Sequence, residues 1–397
     1  MKRTAAVVVT ATMLLAGCFP ILLDVNKDGQ VLIPREEGVF SFDLASGKMV
    51  RLAERAKGDP AWARWSPDGT KVLVADVAEG GKTALRIVDL KTHAARPLAE
   101  LDATACVLWS PDSGSVSAAE VGMGGTQLKL IPLETGQAKG LLSNTLAMHA
   151  WLPDGRVLAF RVTEKKENSQ VASGELVVVD SAGGEPRIVA QATCDQSAIL
   201  SVSPDGKQAL VVEAEVIGEG DKQQAATKLV QVALADGAKK VLPGADVAAA
   251  FWSPDGKRIL VLTKGGGDAA GMAKAMGAAM GAVMGAPAAG GSQIVVTDAE
   301  GKNAVVVATS VLTHSGGMGG PAMYPSWADS DTILYFVSVK TYGEGGTAVR
   351  LMSIKVDGSG RKNLQPTIES AVASMEDAAA AAKAATPATS VVPTPAQ

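Results

Sequence analysis

Only three His, three Cys and three Tyr occur in the 397 residues, alongside six Phe and six Trp. Imidazole metal centres and Ser-His-Asp triads consume histidines, so that chemistry has little material here. Excess charge of one sign is also missing. The 37 Lys+Arg against 41 Asp+Glu give a formal charge of -4 with no dense basic window, so no nucleic-acid partner is expected. There is no G-x-S-x-G elbow, P-loop, H-E-x-x-H or C-x-x-C in the chain. On these absences it is not expected to be an enzyme. What is present is a globular composition, 47% hydrophobic with 43 Gly and 19 Pro, long enough for one large all-β domain or two ordinary ones without staples.

An apolar run lies at the start. Lys2 and Arg3 precede Ala5 to Ala16, then Gly17 and Cys18. A basic segment, a short apolar segment and small residues make 1–17 a signal peptide. Its apolar part, about 12 residues or about 18 Å of helix, is too short for a bilayer core of about 30 Å. Leu15-Ala16-Gly17-Cys18 resembles the bacterial lipobox, which implies cleavage before Cys18 and acylation of Cys18, leaving 18–20 as a lipidated N-terminus. Several acyl chains would hold the protein on a membrane essentially permanently. Phe19 follows where the sorting pattern of lipoproteins has Asp for inner-membrane retention. The resemblance therefore implies the outer membrane, facing the periplasm. Loss of 1–17 removes two cations and no acid, so the remaining chain is more negative and is not drawn to anionic lipid.

One phrase recurs along the rest. Trp65-Ser66-Pro67-Asp68-Gly69, Trp109-Ser110-Pro111-Asp112, Trp151-Leu152-Pro153-Asp154-Gly155, Ser203-Pro204-Asp205-Gly206 and Trp252-Ser253-Pro254-Asp255-Gly256 are close copies. Asn26-Lys27-Asp28-Gly29 and Trp327-Ala328-Asp329 are weaker ones. Their aspartates fall at 28, 68, 112, 154, 205, 255 and 329, and a period of about 40 to 50 residues indicates a propeller. Pro sets the first turn corner, Asp closes the turn and Gly takes the left-handed position. A β-rich run follows each turn, and a second hairpin recurs downstream, from Val39, Leu85, Leu128, Leu176, Leu229, Ile294 and Leu351. Two hairpins per repeat predict an all-β, seven-bladed β-propeller of four-stranded blades over 21–365. Five of the six Trp share one column, read as core between blades. The S-P-D-G repeats resemble the WD-repeat-like propellers of the TolB-like family. Almost nothing separates Cys18 from the first blade, so the N-terminal domain of TolB has no counterpart, nor do residues remain for a hydrolase domain.

Loops between second and third strands are expected to expand at 163–174, 214–227 and 264–292, decorating one face at blades 4 to 6. The longest, 265–291, is Gly/Ala/Met-rich and spaces Met272, Met276, Met280 and Met284 four apart beside Gly277, Gly281 and Gly285. It is read as a low-complexity insertion, a soft apolar contact for a partner or membrane, or a thioether site for Cu(I). Asp24, Asn26 and Asp28 match the opening of a D-x-N-x-D-G calcium loop, although position twelve is Arg35 and the segment also reads as a plain blade turn. No other cofactor is expected. Cys106 and Cys194 are expected as buried free thiols, His149 as a packed core histidine, and 366–397 as a flexible Ala/Pro/Thr-rich tail with a short helix over 367–385. Together these features predict a non-catalytic envelope lipoprotein that offers the inserted face to a protein partner. A ligand- or metal-binding propeller is the alternative.

Overall fold

The computed structural model describes residues 21–385 except 36, 57–58, 79–80, 123–124, 166–170, 196–198, 218–223, 245, 265–291, 313–322 and 341–346. The expected signal peptide 1–17, Cys18 and the four Met of 265–291 lie outside the described residues.

The strands group by the predicted repeats, each blade running from an inner to an outer strand. Blade 1 has β1 (Ile21–Leu22), β2 (Gln30–Arg35), β3 (Gly38–Asp43) and β4 (Met49–Glu54). Blade 2 has β5 (Asp59–Trp65), β6 (Lys71–Val77), β7 (Thr83–Asp89) and β8 (Ala95–Leu101). Blade 3 has β9 (Thr104–Trp109), β10 (Ser115–Gly122), β11 (Gly125–Pro132) and the first half of β12 (Lys139–Trp151). The second half of β12 is the inner strand of blade 4, followed by β13 (Arg156–Lys165), β14 (Val171–Asp180) and β15 (Arg187–Asp195). Blade 5 has β16 (Leu200–Val202), β17 (Gln208–Ile217), β18 (Gln224–Ala233) and β19 (Lys239–Val241). Blade 6 has β20 (Val247–Trp252), β21 (Arg258–Thr263), β22 (Ser292–Asp298) and β23 (Val305–Val311). Blade 7 has β24 (Met323–Tyr324) and β25 (Ser326–Trp327) as its inner strand, then β26 (Thr332–Lys340), β27 (Thr347–Lys355) and β28 (Lys362–Asn363).

Within blades the pairing is antiparallel, so the two sides of the ring differ. The first-to-second and third-to-fourth turns share one side, the turn face. The second-to-third connections and the crossings between blades share the other, the loop face. Each S-P-D-G turn is closed by its own side chains. Ser66 Oγ donates to Asp68 Oδ1 at 2.6 Å, and the Thr70 N–H donates to the same oxygen at 3.0 Å. Ser110 with Asp112, Ser203 with Asp205 and Ser253 with Asp255 repeat the contact. Partial burial works against the charge of Asp68, but the bonds from Ser66 and Thr70 and the charge of Lys71 outweigh it and hold the carboxyl down at about 2. Because the folded value lies below the ordinary one, this contribution is present above about pH 4 and is lost as pH falls through about 2. Asp68→Ala should therefore cost about 1 kcal/mol at pH 7. In urea titrations its deficit against the parent should narrow between pH 4 and pH 2.

In blades 2, 3 and 7 the column Trp ties the blade to the one before it, whereas Trp252 of blade 6 is held by packing, its Nε1 having no partner among the described residues. Trp65 Nε1 donates to Gln30 O, Trp109 Nε1 to Arg64 O and Trp327 Nε1 to Phe251 O, at 3.1, 3.1 and 3.3 Å. Trp65, Trp109 and Trp252 are also members of the apolar clusters that fill the gaps between blades.

Two expectations are corrected. The stretches 163–174 and 214–227 are mostly paired strand, because β13–β14 and β17–β18 are long hairpins, and only 166–170 and 218–223 lie between them. The helix expected over 367–385 is present as α1 (Gln365–Ala385), but its start is docked on the ring where a loose arm was expected. Ile368, Ala371, Val372 and Met375, at helical spacing, join one cluster with Phe40, Phe42 and Met49 of blade 1 and Leu334 and Leu351 of blade 7. At Gly47, with φ of 69°, an added Cβ would lie 2.8 Å from Thr367 Cγ2, so the turn before β4 gives way to the helix. The helix therefore crosses the seam where the ring closes. The only backbone pairing recorded between blades 1 and 7 among the described residues is parallel, Ile21 with Met323 and Leu22 with Tyr324.

Candidate functional site

Propellers offer an axis and two faces. Here the axis is largely apolar: Cys106, Met148, Ile199, Ala249 and Tyr324, from the inner strands of blades 3 to 7, belong to one buried cluster, with Leu108 and Phe251 packed against it. Phe251 and Tyr324 meet edge to face with centroids 6.2 Å apart. Blades 1 and 2 supply the charge. Asp24 Oδ2 accepts the Trp65 N–H at 2.5 Å. Burial pushes the Asp24 carboxyl up, opposed by the nearby Arg64 charge and that hydrogen bond. Arg64 also acts electrostatically on Cys106, across the next inner strand.

The three residues of the calcium pattern diverge. Asp24 is turned to Trp65, and Asn26 Oδ1 accepts the Asp28 and Gln30 N–H groups at 3.0 Å each, as a turn residue does. Asp28 is exposed. Among the described residues no group of three His, Cys, Asp or Glu is placed to hold a metal ion.

His149 is 2% exposed at the joint between blades 3 and 4. Its Nε2 lies 2.6 Å from Ser117 Oγ, which accepts Trp151 Nε1–H at 2.8 Å. Ser117 Oγ also lies 3.4 Å from Leu108 O, a further acceptor for its proton, so which of Ser117 and His149 Nε2 donates to the other follows the imidazole tautomer. Burial holds the imidazole at about 4, hence neutral at pH 7. A serine beside a neutral imidazole is the start of a nucleophile pair, but Ser117 has no exposed surface, so a substrate cannot reach it. Cys106 and Cys194 are free, buried, and pushed up to about 11 and about 12, chiefly by burial. In a Cys18→Ser variant of the chain from residue 18, an aromatic disulfide reagent at pH 8 should titrate no thiol in the native state and both thiols in denaturant.

The loop face carries a feature that the sequence reading missed. The second strands of blades 2, 3 and 5 place Asp76, Glu120 and Glu213 near their loop-face ends, each facing a cation. Asp76 takes Arg86 Nε at 2.6 Å with side chains 2% and 11% exposed. Glu120 pairs with Lys129 and also accepts the Asp102 N–H, while Glu213 pairs with Lys239 at 2.5 Å. Blade 4 substitutes Arg161 with Glu175, at 2.5 Å. The signal was available, since Asp76 and Glu120 both stand eleven positions after the column Trp. Beyond these pairs the hairpins run on, and β10 and β17 end in Val121, Val216 and Ile217, exposed by 41%, 45% and 48%. On this face β21 ends at Thr263 and β22 begins at Ser292. Among the described residues no helix is long and apolar enough to cross a membrane.

No protein-family profile and no curated protein matches the chain. Solved structures do. The tricorn protease matches at a TM-score of 0.57 with 10% identity over 88% of this chain, which spans only 34% of the tricorn chain. The β-propeller domain of the Trilobed protease from Pyrococcus furiosus, with an open velcro topology, matches at 0.52 with 12% identity, over 88% of this chain and 95% of that one. An oligogalacturonate lyase from Vibrio parahaemolyticus matches at 0.55 with 13% identity, over 85% and 88%. Likeness to two TolB structures is weaker, at 0.44 and 0.43. At these identities what is shared is the fold, an all-β propeller. The expectation that the chain is not an enzyme is corrected by the same matches. Lyase and protease structures share this fold, so absent hydrolase motifs on a propeller are no ground for calling it non-catalytic.

Proposed function

We propose that the chain is a lipid-anchored protein of the bacterial cell envelope, held through Cys18 on the periplasmic side of the outer membrane, whose propeller is a scaffold for a protein partner. The observation that carries this is the inequality of the two faces. Tight, self-bonded turns cover one, while the other bears extended hairpins, exposed apolar tips and the 27-residue connection 265–291. A rigid ring that varies its connections on one side is the arrangement expected of a binding surface. The lipobox-like Leu15-Ala16-Gly17-Cys18 and the TolB-like character of the S-P-D-G repeats support the envelope setting. The test is a crosslinking pull-down from envelope extract with the acylated protein, comparing wild type with a deletion of 265–291. A partner recovered by wild type and lost on deletion supports the reading; a partner list unchanged by the deletion, or no partner, counts against it.

A further inference from the structure

The way β1 enters the ring fixes which side faces the membrane. β1 pairs in parallel with β24, so it runs as an inner strand from the loop face toward the turn face, and Ile21 stands at the loop-face end. Cys18 is three residues earlier. Three extended residues span about 10 Å, whereas a compact domain of this size has a radius of gyration of about 20 Å. A tether that short cannot let the ring turn over, because the turn face lies a full strand length from the attachment point. We infer that the loop face lies against the bilayer that anchors Cys18, with the hairpin tips at Val121, Val216 and Ile217 meeting the lipid headgroups. This deepens the proposed function and rests on its reading of Cys18 as an acylated anchor. A partner held at this face is then one that resides in, or on, the same membrane.

The exposed tips agree with this placement. Of the exposed large apolar side chains, Val121, Val216 and Ile217 end second strands at the loop face, while Val50, Ile188 and Val241 sit on outer strands. The acidic balance of the chain excludes charge attraction to anionic lipid as the cause of the contact. The cause is the length of the tether, and the apolar tips make the close approach favourable.

Two measurements separate the anchor from the orientation. The full chain from residue 18 is coupled through Cys18 to a maleimide-headgroup lipid in phosphatidylcholine vesicles carrying an acceptor dye at the headgroup. The buried thiols of Cys106 and Cys194 leave Cys18 as the site of coupling. A bio-orthogonal donor is placed at Val216 or at Lys207, at opposite ends of β17 and about 30 Å apart. Transfer to the membrane should be at least twofold higher from position 216; equal transfer, or more from 207, overturns the orientation. The mass of the Cys18 peptide from envelope fractions reports the anchor by itself. An acylated peptide upholds it, and an unmodified Cys18 overturns the anchor and the native orientation with it.

Discussion

Arg86→Met should destabilise the protein by about 3–5 kcal/mol in urea unfolding at pH 7, while Asp76→Leu combined with Arg86→Met should fall within about 1 kcal/mol of wild type. Asp76 is 2% exposed at the side chain, and both its oxygens face the guanidinium, at 2.6 and 3.3 Å. Removing the cation alone leaves a carboxylate with no water and no counter-charge. Removing both replaces the pair with apolar volume, where the neighbouring positions Val74 and Val72 already belong to the apolar packing between blades 1 and 2. A double variant as unstable as the single would show that the loss lies in packing rather than in the stranded charge. Glu213 and Lys239, with the lysine side chain 34% exposed, are the contrasting case. Lys239→Met should cost less than about 1 kcal/mol, because Lys228 Nζ remains 3.5 Å from the other oxygen of Glu213 and keeps the carboxylate paired.

Ile368→Asp should cost at least about 3 kcal/mol, with the loss felt first at the seam. Ile368 is 4% exposed in a cluster shared by blades 1 and 7 and helix α1. A carboxylate there would sit among Phe40, Phe42, Leu334 and Leu351. Hydrogen exchange should quicken in β4 and β27, which the helix touches, before β14 and β18 respond. Glu369→Lys, one residue on and exposed, should stay within about 0.5 kcal/mol. An Ile368→Asp variant with an unchanged unfolding midpoint and unchanged exchange in β4 would remove the helix from ring closure.

The turns were the most legible part of the sequence. Pro, Asp and Gly act locally, so Trp65 to Gly69 specifies its hairpin without reference to the rest of the chain, and the predicted third strands from Val39, Leu85, Leu128, Leu176, Leu229, Ile294 and Leu351 fall in β3, β7, β11, β14, β18, β22 and β27. The ends of the long hairpins were not legible. Thr163-Glu164 and Glu215-Val216-Ile217 project beyond the neighbouring blades, and a strand solvated on both sides lacks the alternation that marks one. Helix α1 showed its apolar spacing at Ile368, Val372 and Met375, but spacing does not say which surface a helix meets. That surface is assembled from blades about 300 residues apart in the chain. At the axis Cys106 was expected to be buried, but no local signal placed Met148 and Ile199 in the same cluster with it.

The seam has a consequence for how the molecule is made. Among the described residues each blade is built from consecutive stretches of chain, the β1–β24 pairing being the strand contact between its two ends, and β12 passes directly from one blade to the next. A polypeptide delivered N-terminus first can therefore assemble its sheets in order as it emerges, with mostly local pairing at each stage. Only the last event needs both ends of the product. Until β24 and helix α1 arrive, blade 1 keeps Phe40, Phe42 and Met49 uncovered, so the nascent chain carries one sticky edge from the first blade to the last. A holdase that recognises apolar β surface should bind a fragment ending after blade 6 and release it when residues 323–385 are supplied.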